Sequence, residues 1–396
     1  MSAWCLVVFA QIDDPKSAFH QGERRLPFVF LFVALMPAAV GLASFAPARR
    51  PGWPPSLTVA LCCAAAAAIL LVPAVALGRL PAASRFHPAR PGWVRAILLA
   101  VQGVLLLALI VDHDQFLDRI LLCTRNFYGA LRVKDEGFAT PQHRYELLHG
   151  RVIHGYQYAD APQSRRPTSY FTEESGIGLA IRFHSRRRAA KTAVGKPPGL
   201  RLGLIGLGIG TLAAYAMPAD SLRFYEINSE VVRIASQTPY FSYLRDCAAP
   251  IEIIVGDGRL SLEREAADPS REPFDVLAID AFSGDSIPIH LLTREAFELY
   301  RRRLRDESSI LAFHISNRYL NLRPVIRSAA EELGLNYLFI DHSDPDEPRV
   351  SRSIWALLGS RAALAGIART HEAPAGRSRE IRLWTDAYSN PLGILE

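Results

Sequence analysis

Cysteine is scarce in this chain of 396 residues, and its five cysteines are scattered. No two of them have the spacing of a disulfide framework, a zinc knuckle or a redox dithiol, and a reducing compartment is compatible with them. No spacing of histidine and acidic residues indicates a metal site, so we expect no metal. A nucleophile-elbow serine and a phosphate-binding lysine loop are also missing. These absences point away from serine hydrolases, P-loop enzymes and metalloenzymes.

Charge is missing from long stretches of the amino-terminal part of the chain. Residues 26–47 contain no charged residue over a length that can cross a bilayer as a helix, and residues 55–78 repeat the pattern. A shorter apolar stretch, residues 96–111, can span if Arg95 snorkels. We therefore predict two or three transmembrane helices within residues 26–112.

These spans predict a multi-pass protein of the cell membrane, with the lipid bilayer as a partner. If there are three spans, the Lys and Arg residues that flank them place the carboxy-terminal half outside the cytosol by the positive-inside rule. The cofactor inferred below is made in the cytosol, so we expect the catalytic domain there and leave the number of spans open. Buried helices of a protein outside the membrane are the alternative interpretation.

The net charge of +6 comes mainly from arginine, and one basic run lies near the middle of the chain. Such a run is typical of a solvated linker, of contact with anionic lipid or of nucleic-acid binding. No aromatic residues are interleaved with these charges, so we predict no nucleic-acid partner. The run comprises Arg182, Arg186, Arg187, Arg188, Lys191 and Lys196.

The rest of the chain divides by pattern into three parts that follow an amino-terminal segment, residues 1–25, and the membrane region. Short alternating runs separated by glycine predict a small β-stranded domain over residues 120–170. A helix and basic linker follow over residues 171–199. Residues 200–396 alternate short apolar strands with helical stretches, which predicts a mostly parallel sheet covered on both faces. The predicted strands are 202–205, 222–225, 251–255, 276–279, 310–313 and 337–340.

A glycine-rich loop follows the first of these strands. Gly206, Gly208 and Gly210 allow the backbone to turn tightly and approach a ligand before an apolar helix begins. Glu226 lies 20 residues after Gly206, at the end of the next predicted strand, where a carboxylate can bind ribose hydroxyls. The pair indicates a nucleoside site; a tight turn and an exposed carboxylate without a ligand are the alternatives.

Further acidic residues follow the next two strands. Asp257, beside Gly258, can accept a hydrogen bond from an adenine amino group or can simply cap a helix. Asp280 and Asp285 can bind a cationic amine and remove its proton, or can simply form a turn. Two histidines, His290 and His314, also follow strand ends, where hydrogen-bonded structural roles are more usual.

Together these residues resemble the spermidine synthase family, specifically its membrane-attached or transporter-fused bacterial branch. The resemblance extends over about residues 120–392. It is carried by residues 125–129 (RNFYG), 148–150 (LHG), 167–171 (PTSYF), 206–211 (GLGIGT), 225–227 (YEI), 280–295, 314–319 (HISNRY) and 384–386 (WTD).

The resemblance implies a Rossmann-like S-adenosylmethionine-dependent transferase fold of the α/β class, with a small amino-terminal β-hairpin domain. It implies that Glu226 binds ribose, Asp257 binds adenine, and Asp280 binds the acceptor amine and acts in catalysis. Asp285 stands in for a second acidic position, although the spacing is longer here. For the substrate, His154 occupies a position where the family usually has glutamine. Tyr170 occupies the position at which the family has an aromatic residue or a histidine that binds the substrate.

One position departs from the family pattern. Soluble spermidine synthases have an acidic residue in the glycine loop that meets the amino group of the aminopropyl chain, and here that residue is Ile209. The cofactor can therefore be decarboxylated S-adenosylmethionine or S-adenosylmethionine itself.

Three functions follow from these observations. The first is transfer of an aminopropyl group from decarboxylated S-adenosylmethionine to a putrescine-like amine, as in polyamine biosynthesis, by a membrane-anchored enzyme. Such an enzyme can form a homodimer. The second is methyl transfer, and the third is a non-catalytic membrane sensor or transporter partner with a nucleoside or polyamine pocket. Nicotinamide binding is disfavoured because no hydride-transfer site is recognisable.

Overall fold

The computed structural model describes residues 119–150, 152–190, 199–281, 288–317, 319–343, 352–368 and 381–395. The predicted membrane region lies outside these residues, as does Asp285. Residues 119–396 form one compact unit, to which all that follows refers.

The localisation predicted from the sequence needs correction. Within the described ranges, no helix combines the length and the apolar character that crossing a bilayer requires. The longest helix described here, Arg323–Leu333, has 11 residues, whereas a helix needs about 20 to cross the hydrocarbon core. The prediction of a multi-pass membrane protein is contradicted by this finding, and we do not carry it further.

The first four strands form a separate antiparallel sheet in chain order. Side chains alternate between two faces of a strand, and Leu131, Val133 and Leu147 are buried on the inner face while the first strand keeps alternate residues exposed. A hydrogen bond of 2.6 Å from the side-chain amide of Asn126 to that of Asn228 joins this sheet to the larger one. The strands are β1 (Ile120–Asn126), β2 (Gly129–Glu136), β3 (Arg144–His149) and β4 (Val152–Tyr158).

Seven strands form the larger sheet, in the order β10-β11-β9-β8-β5-β6-β7. Strands β5 to β9 pair in parallel, whereas β11 runs antiparallel to both of its neighbours. This mixed sheet has the arrangement of the methyltransferase-type Rossmann-like fold. Its strands are β5 (Arg201–Ile205), β6 (Ser221–Glu226), β7 (Ile251–Val255), β8 (Val276–Ile279), β9 (Ile310–His314), β10 (Asn336–His342) and β11 (Ser353–Gly359).

Helices cover both faces of the larger sheet. In the central strands, successive side chains point to opposite faces, so Ala278 packs in one apolar cluster and Leu277 and Ile279 in the other. The first cluster includes side chains of α1, α3 and α7, and the second includes those of α4, α5 and α6. The helices are α1 (Gly176–Arg182), α2 (Ser185–Ala190), α3 (Ser229–Gln237), α4 (Gly258–Ala266), α5 (Arg294–Arg302), α6 (Arg323–Leu333) and α7 (Arg361–Ala368).

Two arginines of the basic run, Arg186 and Arg187, are held by acidic side chains of this unit. Arg187 is buried and donates to Asp220 at 2.9 Å. The guanidinium of Arg186 lies 3.0 Å from the buried carboxylate of Asp275. A buried ion pair has to be compensated within the fold. These arginines therefore stabilise the packing of α2 and do not form the solvated linker face that the sequence suggested.

Candidate active site

A pocket opens at the carboxyl ends of the parallel strands, where ligands bind in sheets of this kind. It brings together most of the residues singled out in the sequence, namely His154, Tyr170, Gly206, Gly208, Glu226, Asp257, Gly258 and Asp280. Gly210 is not among the lining residues, and Asp285 lies outside the described residues. The β1–β4 sheet supplies one wall, so the pocket lies between the two sheets.

The glycine loop adopts a conformation that L side chains rarely adopt. Gly206, Gly208 and Gly210 all have positive φ angles, of 97°, 55° and 83°. A Cβ atom at Gly206 would also collide with the carbonyl oxygen of Asp280. The absence of a side chain there lets the loop after β5 lie directly beside the residue that follows β8.

The loop leads into a 3₁₀ helix, Thr211–Tyr215, where the sequence suggested an apolar helix. The chain becomes extended at Ala216, and Pro218 disfavours helical backbone at Met217. The helical segment is therefore confined to one short turn.

Glu226 ends β6 with a buried carboxylate. Its Oε2 accepts a hydrogen bond of 2.9 Å from the backbone N–H of Leu207, and its Oε1 accepts one of 2.8 Å from that of Asn228. Burial raises the pKa of Glu226, and these backbone hydrogen bonds offset part of that rise. Each carboxylate oxygen has a further lone pair, so Glu226 can still accept hydrogen bonds from two ligand hydroxyl groups.

Asp257 is the N-cap of α4, as the simpler interpretation of the sequence held. Its Oδ1 accepts a hydrogen bond of 2.9 Å from the backbone N–H of Leu260. Its Oδ2 lies 3.0 Å from Nε2 of His290, which also lines the pocket. Capping does not remove Asp257 from the pocket, because the same side chain lies on its lining.

Asp280 follows β8, and its carboxylate lines the pocket. Its Oδ1 lies 2.7 Å from Nδ1 of His314, the last residue of β9. Both side chains are only 7% exposed. Burial raises the pKa of Asp280 above its ordinary value, and the interaction with His314 offsets part of that rise. A buried carboxylate with a raised pKa is a better proton acceptor than one in water.

His154 of β4 lines the same pocket as Asp280, and its imidazole is neutral. Burial, together with the neighbouring His149 and His314, lowers its pKa to about 4. Its buried Nε2 has no hydrogen-bond partner among the described residues. A buried nitrogen without a hydrogen-bond partner costs free energy, so a ligand that forms a hydrogen bond with this Nε2 would be stabilised. The hydroxyl of Tyr170 donates to the carbonyl of His154 at 3.2 Å.

Ile209, the residue that replaces the acidic position of the family, does not line the pocket. It is buried to 1% exposure, and a Cβ atom at Gly155 would lie 3.0 Å from its Cγ1. The side chain therefore packs between the glycine loop and β4.

The sequence did not single out several further pocket residues. Tyr128 and His149 come from the β1–β4 sheet; both lie in motifs that carry the family resemblance, but neither was assigned a role. Asn228 caps α3 by accepting from the backbone N–H of Glu230 at 3.0 Å, which is an N-cap signal that sequence can reveal. His290 was interpreted as structural, and its position beside Asp257 depends on a contact between distant parts of the chain.

Among the described residues, no group of three or more His, Cys, Asp or Glu side chains could hold a metal ion. The described lining of the pocket includes three carboxylates, from Glu226, Asp257 and Asp280. It includes no Lys or Arg among the described residues. The site therefore favours a cationic ligand.

The strand order defines a Rossmann-like α/β fold, and the chain was compared with known proteins. No protein-family model matches the chain. A curated polyamine aminopropyltransferase from Vibrio vulnificus is 31% identical over 118 residues, which are 29% of this chain and 37% of that protein. The chain thus matches little more than a third of the length of that relative.

Solved structures give more distant likenesses. A spermidine synthase from Thermotoga maritima shares 11% identity and covers 68% of this chain and 82% of its own, with a TM-score of 0.41. A magnesium protoporphyrin IX methyltransferase from Synechocystis PCC 6803 shares 18% identity and covers 41% and 71%, with a TM-score of 0.29. The fold assignment rests on the strand order described above.

The curated relative confirms the resemblance to the spermidine synthase family that the sequence motifs indicate. That relative is, by its name, a transferase. The comparisons do not show the membrane-attached branch of the family.

Proposed function

We propose that this protein transfers an aminopropyl group from decarboxylated S-adenosylmethionine to a small amine such as putrescine. The observation that carries the proposal is the charge of the pocket, whose described lining has three carboxylates and no Lys or Arg. Both proposed substrates are cations, because one has a sulfonium and an ammonium group and the other is a diamine. Intact S-adenosylmethionine would add a carboxylate to this acidic lining.

In this proposal the cofactor lies along the ends of β5, β6 and β7. Gly206 and Gly208 let the loop approach it, and Gly210 contributes through its backbone conformation. Glu226 accepts hydrogen bonds from the ribose hydroxyls. Asp257 and the backbone at Gly258 bind the adenine, where the second oxygen of Asp257 already has a nitrogen partner in His290.

The acceptor amine lies at the ends of β8 and β9. Asp280 binds its ammonium group and takes one proton, which leaves a nitrogen lone pair. That nitrogen attacks the aminopropyl carbon bonded to the sulfonium sulfur. A C–N bond forms, and the bond from that carbon to sulfur breaks with its electron pair going to sulfur. The products are the alkylated ammonium and neutral methylthioadenosine. Tyr170 and His154 position the acceptor, and Asp285 is proposed as the second acidic residue.

Release of methylthioadenosine by the purified full-length chain tests this function. We expect it with decarboxylated S-adenosylmethionine and putrescine, and not with butane-1,4-diol, which has the same carbon chain without amine groups. If no diamine supports release, the proposed reaction is wrong. Cofactor binding without turnover would then favour the sensor interpretation.

Methyl transfer remains a second candidate because of one observation. Ile209 is buried against Gly155, so no carboxylate meets an aminopropyl ammonium at that position. Incubation of the protein with methyl-labelled S-adenosylmethionine and the same diamines separates the two reactions. Labelled product would favour methyl transfer, whereas methylthioadenosine from the decarboxylated form would favour aminopropyl transfer.

A further inference from the structure

We infer that His314 is a positioning residue for the proposed reaction, holding Asp280 in the carboxylate form with one oxygen directed to the acceptor amine. This inference rests on the proposed function. It assigns a role to a histidine that the sequence suggested was structural. Four contacts of His314 support it: three come from separate segments of the chain, and the fourth is with Ser316, two residues away.

The imidazole of His314 is fixed on both faces by aromatic rings. The ring of Tyr170 stacks on it with a centroid separation of 4.4 Å and an interplanar angle of 17°. The ring of Trp355, from β11, stacks at 5.0 Å and 25°. The indole N–H of Trp355 also donates to the carbonyl of Tyr170 at 3.0 Å. The plane of His314 is therefore held by the two rings beside it.

Both ring nitrogens of His314 have partners. Nδ1 lies 2.7 Å from Oδ1 of Asp280, and Nε2 lies 2.8 Å from the hydroxyl oxygen of Ser316. The same hydroxyl oxygen accepts a hydrogen bond of 2.7 Å from the backbone N–H of Ile354. Asp280, His314 and Ser316 thus form one continuous line of hydrogen bonds.

The direction of this line follows from its far end. A backbone N–H can only donate, so Ser316 accepts from Ile354, and its own hydrogen is available for Nε2 of His314. We assign Ser316 as the donor in this second hydrogen bond. The imidazole then carries its hydrogen on Nδ1 and donates it to Asp280. A hydrogen bond donated to a carboxylate stabilises its charged form. With Oδ1 occupied in this way, Oδ2 is the oxygen that meets the amine.

The surroundings of His314 are otherwise uncharged or acidic. Asp280 faces it from the end of β8, Tyr170 faces it from the 3₁₀ helix Ser169–Phe171, and His154 lies near enough for its pKa to be lowered by His314. Glu226 is near enough to Asp280 for the two carboxylates to influence each other. Burial raises the pKa of Asp280; His314 opposes that rise most strongly, and the hydroxyl of Tyr170 also opposes it.

A set of variants separates positioning from packing. In H314A, Asp280 loses its donor, so the acidic limb of the kcat/KM profile should move up by about one pH unit. The rate of methylthioadenosine release would fall about tenfold on the acidic side of that limb and stay within about threefold of the wild-type rate on its alkaline side. H314Q keeps an N–H donor and should return the limb towards the wild-type position. An acidic limb unchanged in H314A would overturn the inference.

The packing control is Trp355→Phe, which alters one stacked ring and leaves the hydrogen bond to Asp280. This variant should lower the melting temperature without moving the acidic limb. A limb displaced in W355F as far as in H314A would mean that packing alone accounts for the effect.

Nitrogen-15 NMR of histidine-labelled full-length protein gives a readout that does not depend on turnover. At neutral pH we expect the His314 signals of an imidazole with hydrogen on Nδ1, and a loss of that preference in Ser316→Ala. Hydrogen on Nε2 in the wild type would contradict the inference. If the wild type released no methylthioadenosine, the proposed function would fail, while this measurement would still decide whether His314 donates to Asp280.

Discussion

The two halves of the pocket are built in different ways. At the ends of β5 to β7, Glu226 and Asp257 are held by backbone N–H groups of the loops and helices that follow. At the ends of β8 and β9, Asp280 is held by His314, which lies between rings of Tyr170 and Trp355. The proposed cofactor half is thus held mainly by backbone contacts, with one side-chain contact from His290 to Asp257, whereas the proposed acceptor half is held by side chains from distant segments.

Because of this difference, we expect the two halves to respond differently to substitution of neighbouring side chains. A carboxylate held by backbone groups keeps its place when neighbouring side chains change. A carboxylate held by side chains depends on each of them, and its protonation state depends on them as well. Substitutions in the cofactor half should therefore change affinity, and those in the acceptor half should change the rate and its pH dependence.

The largest effect is expected from Asp280→Asn. Loss of the proton acceptor should lower kcat for methylthioadenosine release by about 10²- to 10⁴-fold. Affinity for decarboxylated S-adenosylmethionine should stay within about threefold, since the cofactor half is unchanged. Steady-state kinetics and calorimetry measure the two quantities. The control is Asp268→Asn, an identical change at an exposed turn residue. Equal losses in both variants would contradict the assignment.

Glu226→Gln should have the next largest effect, on affinity. A hydrogen bond to a charged group contributes about 1.5–3 kcal/mol, so the dissociation constant of the cofactor should rise about 10- to 100-fold. The matched control is Glu230→Gln, which alters a carboxylate one turn into α3 that pairs with Arg233. If calorimetry found unchanged affinity in Glu226→Gln, the ribose role would have to be abandoned.

Asp280→Asn should also change stability, in the opposite sense to its effect on rate. The folded pKa of Asp280 is raised, so its contribution to stability is present in acid and lost as pH rises through that pKa. Asparagine is neutral throughout, and the free energy of unfolding at pH 8 should therefore increase by about 1 kcal/mol. The increase should shrink at pH 3. Denaturant titrations at both pH values test this, and a loss of stability at pH 8 would contradict it.

A smaller effect is expected from a clamp beside the cofactor half. Asp386 binds Arg259 of α4 through both oxygens, at 2.6 and 2.7 Å, and Arg259 lowers its pKa to about 2. Such a carboxylate contributes stability above its unfolded pKa, and the contribution is lost as pH falls through 2. Because Asp386 is 46% exposed, solvent screening limits the gain, and Asp386→Asn should cost about 0.5–1 kcal/mol at pH 7. Thermal unfolding at pH 7 measures this cost, and no change would mean that solvent cancels the clamp.

The same contrast explains what the sequence could reveal. Glycines after an apolar strand and a carboxylate after the next strand are local signals, and Gly206 and Glu226 lie where such signals placed them. The six predicted strands of the larger sheet correspond to β5 to β10. Their order could not be read from local periodicity, because strand pairing is decided by contacts between distant segments.

Other features of the acceptor half were hidden from the sequence. Strand β11 was not predicted, because a short apolar run does not distinguish a strand from a buried helix. Trp355 of this strand stacks on His314. Because the strand was not predicted, the sequence did not show which residues contact His314. The membrane prediction rested on charge-free length alone, and the described helices do not support it.

The most direct test of the account compares how the two cofactor forms bind. An acidic pocket whose described lining has no Lys or Arg should bind decarboxylated S-adenosylmethionine at least about tenfold more tightly than the intact form, a difference of about 1.4 kcal/mol. Isothermal titration calorimetry of the full-length chain measures both affinities. Equal or tighter binding of intact S-adenosylmethionine would contradict the claim that this pocket selects a cationic aminopropyl donor.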